Sequence, residues 1–188
     1  LCERVHKVNL EDTFMPKIIE NIRERLLAEA KRQVSEQGYS AMTIRSVATA
    51  CGVGVGTVYN YFPSKDMLVA SFMIEDWELC IQRISDGIQN AEDMKASLYC
   101  VYEELLKYKE MYSNLFSDVN AEASYATSSM QRHGLLRAQL AEPIKMLTCK
   151  QDKVNSEFLA EFVAENMLTL TMAGVDFELI TSVLLQLF

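Results

Sequence analysis

Apolar residues recur at helical spacing from the first part of the chain onwards. Between residues 16 and 38 an apolar residue stands at every fourth position: Ile18, Ile22, Leu26, Ala30 and Val34. Such a stripe covers one face of a helix with 3.6 residues per turn. Pro16 suits a first helical turn and Gly38 suits a helix end, so the pattern predicts a helix between them.

A second, shorter helix is predicted after Thr43. The apolar residues that follow it have the i, i+3, i+4, i+7 spacing of one helix face: Ile44, Val47, Ala48 and Cys51. Thr43 suits the N-cap because its hydroxyl can accept a hydrogen bond from a backbone N–H of the first turn. Gly52 suits the end of the helix because glycine readily adopts the left-handed conformation found there.

Three glycines follow at alternate positions in "GVGVGTVYNYF", residues 52–62. Dinucleotide-binding loops carry G-x-G-x-x-G after a strand, whereas here a helix precedes the glycines and Thr57 stands at the third glycine position. The Gly-Lys-Ser/Thr of a phosphate-binding P-loop is also missing. The segment instead predicts a turn of three or four residues and a second short helix that ends before Pro63, together a helix-turn-helix.

The helical pattern continues to the end of the chain, over residues 65–89, 94–116, 129–150, 154–174 and 176–188. Pro143 is expected to kink the third of these helices, and Gly174 separates the last two. Residues 117–129 are polar and aperiodic, which predicts a loop. The last two helices are apolar on all sides, so we expect a partner subunit to cover them.

The composition favours an all-α globular fold, and the charge distribution adds a hint of function. The 188 residues are 49% hydrophobic and include only seven glycines and three prolines. Residues 1–65 carry nine Lys and Arg against seven Asp and Glu, whereas residues 66–188 carry nine against nineteen. The net charge of −8 is therefore concentrated in the C-terminal part, and the N-terminal part is the one expected to approach a polyanion.

The cysteines and the apolar runs bear on the cellular compartment. The five cysteines are odd in number, scattered and never spaced C-x-x-C, which argues against a disulfide framework or a zinc site and favours a reducing cytoplasm. Residues 1–12 mix charged and apolar residues too evenly for a signal peptide, and no run of eighteen apolar residues exists to span a membrane. No metal, cofactor or membrane partner is expected.

Residues 43–72, "TIRSVATACGVGVGTVYNYFPSKDMLVASF", resemble the DNA-binding segment of the TetR family of transcriptional regulators. The likeness includes the Thr-Ile-Arg opening, the Ala-Cys-Gly-Val turn, the Gly-Thr-Val-Tyr-x-Tyr-Phe helix and the Pro-Ser-Lys-x-x-Leu exit, and it extends over about residues 17–75. It implies an all-α fold, usually of nine helices, that dimerises through the last two. Residues 1–64 then form a three-helix helix-turn-helix DNA-binding domain, and residues 65–188 form a helical effector-binding and dimerisation domain.

The resemblance also implies which residues contact DNA: Thr43, Arg45, Val55, Thr57, Tyr59, Asn60 and Lys65. The first two lie at the start of the positioning helix, the next four lie on the recognition helix, and Lys65 begins the following helix beside a phosphate. Arginine and lysine neutralise phosphate charge, and threonine, tyrosine and asparagine donate to phosphate oxygens. Tyr61 is left open between packing and a backbone contact, whereas Phe62 is expected in the core.

Two positions depart from the family pattern. Where the family commonly has a serine followed by a lysine or arginine, this chain has Gly54 and Val55, so a helix cap and a cationic contact are missing. Glycine caps a helix weakly, and a valine offers only apolar contact to a thymine methyl group. The departure leaves the strength of DNA binding and the operator sequence open.

Aromatic and methionine side chains in the C-terminal part admit two interpretations. They suit a helical core, and they suit an adaptable ligand pocket because methionine repacks and tyrosine offers a polar tip. The candidate ligand-binding residues are Trp77, Tyr99, Tyr102, Phe116, Tyr125, Met146 and Phe162. The apolar lining and the acidic charge balance predict a hydrophobic or cationic effector.

Three classes of function compete on this evidence. The favoured one is a ligand-responsive regulator, a repressor that binds a pseudo-palindromic operator as a homodimer and is released by a small effector. The second is a helical protein-interaction module with a degenerate helix-turn-helix. The third, an enzyme, is disfavoured because the two histidines, His6 and His133, stand in no H-E-x-x-H spacing, although catalysis by residues distant in sequence stays open.

Overall fold

The computed structural model describes residues 21–116, 129–149 and 155–188 of the chain. Within these ranges all regular structure is helical, which confirms the predicted fold class. The helices are α1 (Ile22–Gln37), α2 (Ile44–Cys51), α3 (Val55–Tyr61), α4 (Lys65–Asn90), α5 (Met94–Met111), α6 (Ser113–Phe116), α7 (Ser129–Thr148), α8 (Ser156–Met172) and α9 (Phe177–Leu184), with a 3₁₀ turn at Leu185–Leu187. The predicted loop at residues 117–129 lies outside the described residues except for Ser129.

The end of the first helix can be compared with the sequence prediction. Helix α1 begins at Ile22, after Asn21, which adopts a left-handed conformation with a φ of 58°. The predicted start near Pro16 lies outside the described residues. The predicted end is correct: Gly38 has a φ of 84°, a conformation that costs glycine little.

Helices α1, α2 and α3 form one packed unit, called here the N-terminal unit. Leu26, Val47 and Val58, one from each helix, are completely buried in a common core. Helix α3 is only seven residues long and buries Val58 alone, so its placement depends on α2, against which it packs. The N-terminal unit therefore presents α3 as its outer helix.

Helix α4 connects the N-terminal unit to the rest of the chain. It is 26 residues long, about 39 Å at 1.5 Å per residue, and the Ser64 hydroxyl caps its N-terminus by accepting a hydrogen bond from the Met67 N–H at 3.1 Å. It packs against α1 and against α5 and α7. Trp77, near its middle, is 2% exposed, and its Nε1 donates to Gln139 Oε1 of α7 at 2.9 Å.

Asp76 of α4 joins three helices. Its Oδ1 accepts a hydrogen bond from Nζ of Lys31 on α1 at 2.8 Å, and its Oδ2 accepts one from the hydroxyl of Tyr112, the C-cap residue of α5. Burial and the hydrogen bond to the Asp76 carboxylate raise the pKa of Tyr112 far above its ordinary value, so the hydroxyl stays a donor at neutral pH. The carboxylate thus ties the N-terminal unit to both α4 and α5.

The C-terminal helices form a second packed layer on α4 and α5. Helices α7 and α8 pack along each other, and α8 and α9 pack on α5. Gly174 separates α8 from α9 as predicted, with a φ of 80°. The helix predicted over residues 94–116 is interrupted at Tyr112, where α5 ends and the short α6 follows. Pro143 lies within α7 without ending it.

Candidate nucleic-acid interface

The connection between α2 and α3 has the geometry of a helix-turn-helix. Oγ1 of Thr43 accepts a hydrogen bond from the Ser46 N–H at 3.0 Å, and Oγ of Ser46 accepts one from the Thr43 N–H at 3.1 Å. This reciprocal cap fixes the start of α2. Gly52 then adopts φ 69° and ψ 32°, and the Val53 N–H bonds the Ala48 carbonyl at 3.0 Å, which turns the chain towards α3 within three residues.

Helix α3 keeps most of its surface uncovered. Tyr59 is 50% exposed and Tyr61 is 45% exposed, while Gly56 and Asn60 are also exposed. At 100° per residue, Gly56 and Asn60 lie on the face opposite the buried Val58. Gly54 precedes the helix as an N-cap with no side-chain hydrogen bond, as expected for glycine.

The predicted DNA contacts are spread over α2, α3 and the first residue of α4. Thr43 and Arg45 are exposed at the start of α2, and Tyr59 and Asn60 are exposed on α3. Val55 and Thr57 of α3 and Lys65 of α4 are half-buried. Phe62 is 3% exposed, which confirms its predicted place in the core.

Lys65 makes contacts that the sequence did not indicate. Its Nζ donates to the carbonyl oxygen of Tyr39 at 2.5 Å and lies 4.0 Å from the centroid of the Tyr39 ring. The Tyr39 hydroxyl in turn donates to the carboxylate of Asp66. The side chain of Lys65 is therefore held at the start of α4, against the loop that joins α1 to α2. The sequence feature that could have indicated this contact is Tyr39, an aromatic residue four positions before the Thr43 cap.

The cations of the N-terminal unit differ in how far they are engaged within the protein. Arg23 pairs with Glu75 at 2.7 Å, Lys31 pairs with Asp76, and Arg32 pairs with two glutamates of its own helix. Arg25 donates to the Cys51 carbonyl at 2.9 Å. Arg45, by contrast, is an exposed cation for which the described residues provide no hydrogen-bond or ion-pair partner.

The predicted ligand-binding residues occupy different environments. Trp77 lies in the core and contacts the Tyr108 ring at a centroid distance of 5.3 Å. Tyr102 is half-buried, and its hydroxyl donates to the Val175 carbonyl at 3.2 Å. Three others are exposed by 42–49%: Tyr99, Met146 and Phe162.

The two cavities described in the structure are lined by other residues. Of the predicted ligand-binding residues, Tyr125 lies outside the described residues, and the side chain of Phe116 is not described. His6, one of the two histidines of the chain, also lies outside the described residues. A small cavity of about 40 Å³ lies elsewhere, between α1, α4 and α6, and is lined partly by Phe72, Met111 and Leu115. The ligand-binding assignment stays a prediction.

A histidine and a cysteine of the C-terminal part, His133 and Cys80, make structural contacts within the described residues. His133 of α7 bonds Glu165 of α8 at 2.9 Å, and this hydrogen bond lowers the pKa of the Glu165 carboxyl. Burial raises the pKa of the Cys80 thiol to about 12, which leaves it protonated and unreactive at neutral pH. Among the described residues no cluster of three potential metal ligands occurs, and no described helix combines the length and hydropathy needed to cross a bilayer.

Curated relatives of the chain are transcriptional regulators. The regulator UidR of Escherichia coli K12 is 21% identical over 126 residues, which cover 65% of this chain, and the match spans 64% of UidR. The repressor KstR of Rhodococcus jostii RHA1 is 37% identical over 68 residues, which cover 36% of this chain and 32% of KstR.

Solved structures share the fold of nearly the whole chain. A TetR-family transcriptional regulator from Streptomyces coelicolor superposes with a TM-score of 0.63 at 20% identity, covering 88% of this chain and 99% of its own. RolR in complex with resorcinol superposes with a TM-score of 0.57 at 14% identity, covering 88% of this chain and 86% of its own.

The family model for the bacterial regulatory proteins of the tetR family matches residues 26–72. The matched segment runs from within α1, through the helix-turn-helix, into the first two turns of α4. It contains the capped start of α2, the turn at Gly52 and the exposed α3. Residues 26–72 therefore form a helix-turn-helix segment of the tetR family of bacterial regulatory proteins, and the chain as a whole is similar to transcriptional regulators of that family.

Proposed function

We propose that the chain is a ligand-responsive repressor that binds a pseudo-palindromic DNA operator as a homodimer. The observation that carries this proposal is the uncovered face of α3, on which Tyr59 and Tyr61 stay half exposed beside a well-packed core. A recognition helix must keep such a face free because it reads base edges inside the major groove. The N-terminal domain of residues 1–64 supplies this helix, and residues 65–188 supply effector binding and dimerisation.

The DNA contacts are assigned to Thr43, Arg45, Val55, Thr57, Tyr59, Asn60 and Lys65. Arg45 supplies a phosphate contact at the start of α2, since its guanidinium is exposed and unengaged within the described protein. Lys65 contacts a second phosphate only by giving up or sharing its bond to the Tyr39 carbonyl. Tyr59 donates its hydroxyl to the DNA backbone, and Val55 offers an apolar contact to a thymine methyl group.

One observation favours the alternative, a protein-interaction module with a degenerate helix-turn-helix. Helix α3 carries neither lysine nor arginine, and Gly54 provides no side-chain cap. Phosphate neutralisation by cations supplies most non-specific DNA affinity, so a recognition helix without them binds DNA more weakly. The exposed tyrosines and Asn60 would then serve a protein partner.

Dimerisation is assigned to the last two helices because each carries an unburied apolar stripe. Phe158 and Phe162 lie one turn apart on α8 and are 64% and 43% exposed. Leu179 and Val183 lie one turn apart on α9 and are 63% and 62% exposed. Large apolar side chains grouped in this way mark interaction surfaces, and a second copy of the chain offers the same stripes in return.

The effector is proposed to be a small hydrophobic or cationic molecule that binds the C-terminal part. The relative RolR, solved with resorcinol, supports an aromatic effector, and the excess of Asp and Glu in residues 66–188 supports a cation. Such a ligand releases DNA only if it prefers a conformation in which the two α3 helices no longer match the operator.

Helix α4 and Asp76 offer the physical route between effector and DNA. Helix α4 is continuous from the end of the helix-turn-helix into the C-terminal layer. Asp76 receives hydrogen bonds from Lys31 of α1 and Tyr112 of α5, so a displacement of α5 is passed to the N-terminal unit. We expect a coupling of about 1–3 kcal/mol, which lowers DNA affinity roughly 5- to 150-fold.

The DNA assignment is tested first with Arg45→Ala. Loss of one phosphate contact should weaken binding to operator and random DNA by a similar factor and reduce the log–log salt slope by about one. Lys65→Ala should do the same, and gel retardation at several salt concentrations measures both. The control Arg83→Ala removes a distant exposed arginine of α4 and should change nothing. If wild-type protein retards no DNA, the interaction module is the better account.

The dimer is tested with the double substitution Leu179→Glu and Val183→Glu. Charges on the α9 stripe should yield a folded monomer that no longer binds operator, as measured by light scattering and circular dichroism. Deleting residues 175–188 is a poorer test because it also removes the buried Phe177, Ile180 and Leu184. Ile74→Glu, at a 56% exposed position on α4, is the control and should stay dimeric. A stable dimer in the double variant contradicts the assigned interface.

The coupling is tested with Asp76→Asn, which weakens the junction between α1, α4 and α5. Aromatic and quaternary ammonium compounds, beginning with resorcinol and tetramethylammonium, are titrated against the protein and its DNA complex. A compound that releases wild-type DNA should still bind the variant, with Trp77 fluorescence as the signal, but release its DNA less. Asp86→Asn, at an exposed position of the same helix, should behave as wild type. Equal release by Asp76→Asn contradicts the proposed route.

A further inference from the structure

The outward face of α3 consists of two residues, Gly56 and Asn60, at i and i+4. Both point away from Val58, which fixes the inner side of the helix at 0% exposure. Thr57 and Tyr59, each about 100° around the helix from Val58, flank this face on its two sides. In a helix that lies in a groove, the outermost face meets the groove floor, where the base edges are.

Gly56, which has no side chain, leaves open space one turn before Asn60 on the same face of α3. A Cβ atom placed on Gly56 would meet no atom within 4 Å, so nothing in the protein stands over this part of the helix. Without a side chain at this position the backbone can approach the bases closely. The short Asn60 side chain, one turn further on, can then reach a base edge that a more distant helix would leave out of range.

The Asn60 amide is free to bind an outside partner. Two other helical asparagines donate to the carbonyl four residues earlier: Asn90 bonds Asp86 and Asn166 bonds Phe162, both at 2.7 Å. Asn60 is exposed and forms no such bond, nor any other hydrogen bond to a described residue. Its carbonyl oxygen and NH₂ group therefore both remain available.

The chemistry of α3 limits which base it can read. Guanine is read most often by arginine or lysine at O6 and N7, and cytosine by a carboxylate at N4. Helix α3, with the sequence VGTVYNY, contains none of these side chains. An asparagine instead pairs with adenine, accepting from N6–H and donating to N7.

We infer that Asn60 determines operator specificity by a bidentate hydrogen bond to an adenine in the major groove of each half-site. This inference rests on the proposed function, because it assumes that α3 enters DNA. Each Asn60 would then form two hydrogen bonds to one adenine in its half-site. The half-sites should accordingly share an A·T pair at a fixed position, with no guanine read by α3.

The test begins with selection of binding sites from random DNA by the wild-type protein. The selected half-sites should share one adenine, and replacing that adenine by 7-deazaadenine, which lacks the N7 acceptor, should weaken binding about fivefold or more. Asn60→Ala should bind the unmodified site about 5- to 150-fold more weakly and should be indifferent to the 7-deaza substitution. The control Asn90→Ala, at an exposed asparagine of α4, should retain the wild-type preference.

The outcomes separate this inference from the proposed function. Selected sites whose shared positions are all G·C, or an Asn60→Ala variant that keeps the same adenine preference and the same 7-deaza penalty, overturn the inference while leaving DNA binding intact. The 7-deaza measurement on wild-type protein does not depend on the variant being folded. Failure of the wild-type protein to enrich any sequence overturns the inference and the proposed repressor function together.

Discussion

The position of the recognition helix depends on how firmly α1 is held to α4. Helix α3 is anchored by Val58 and packs on α2, which packs on α1, so a displacement of α1 is passed through α2 to α3. The Arg23–Glu75 pair joins α1 to α4, but both side chains are 45% exposed, and such pairs contribute only about 0–1 kcal/mol. The contacts of Asp76, whose side chain is 16% exposed, are better shielded from water and engage a third helix through Tyr112. This carboxylate is the polar centre of the contact between the two parts of the molecule.

The helix-turn-helix could be predicted from the sequence because its signals are local. The Thr43 cap, the left-handed Gly52 and the apolar spacing of α2 each involve residues within one or two turns of one another. The left-handed conformation of Asn21 could not be predicted, because the apolar spacing of the sequence continues through this position. Contacts such as that of Lys65 with Tyr39 join residues far apart in sequence, and only the packing of α4 on the α1–α2 loop creates them.

The burial of the candidate ligand-binding residues also could not be predicted from the sequence. Composition marks Trp77 and Tyr99 alike as aromatic residues of the C-terminal part, yet one is 2% exposed and the other 49% exposed. The difference arises from which face of α4 packs on α7 and which face of α5 packs on α8 and α9. An amphipathic pattern with apolar residues on several sides does not determine those faces. The shortage of cations on α3 could be read from the sequence directly, because the helix contains neither lysine nor arginine. The N-terminal unit presents few unengaged cations, so we attribute its specificity to neutral hydrogen-bonding groups more than to charge.

We propose that two copies of the chain place their α3 helices together on one operator. It is tested most directly by the distance between two spin labels in the DNA complex. The label is attached at Ala50→Cys, an exposed position at the end of α2, in a chain whose Cys2, Cys100 and Cys149 are changed to serine. The account predicts one narrow distance distribution, near one helical turn of DNA, about 34 Å, or a multiple of it. Absence of dipolar coupling on saturating operator DNA, with one chain bound per site, would contradict the account.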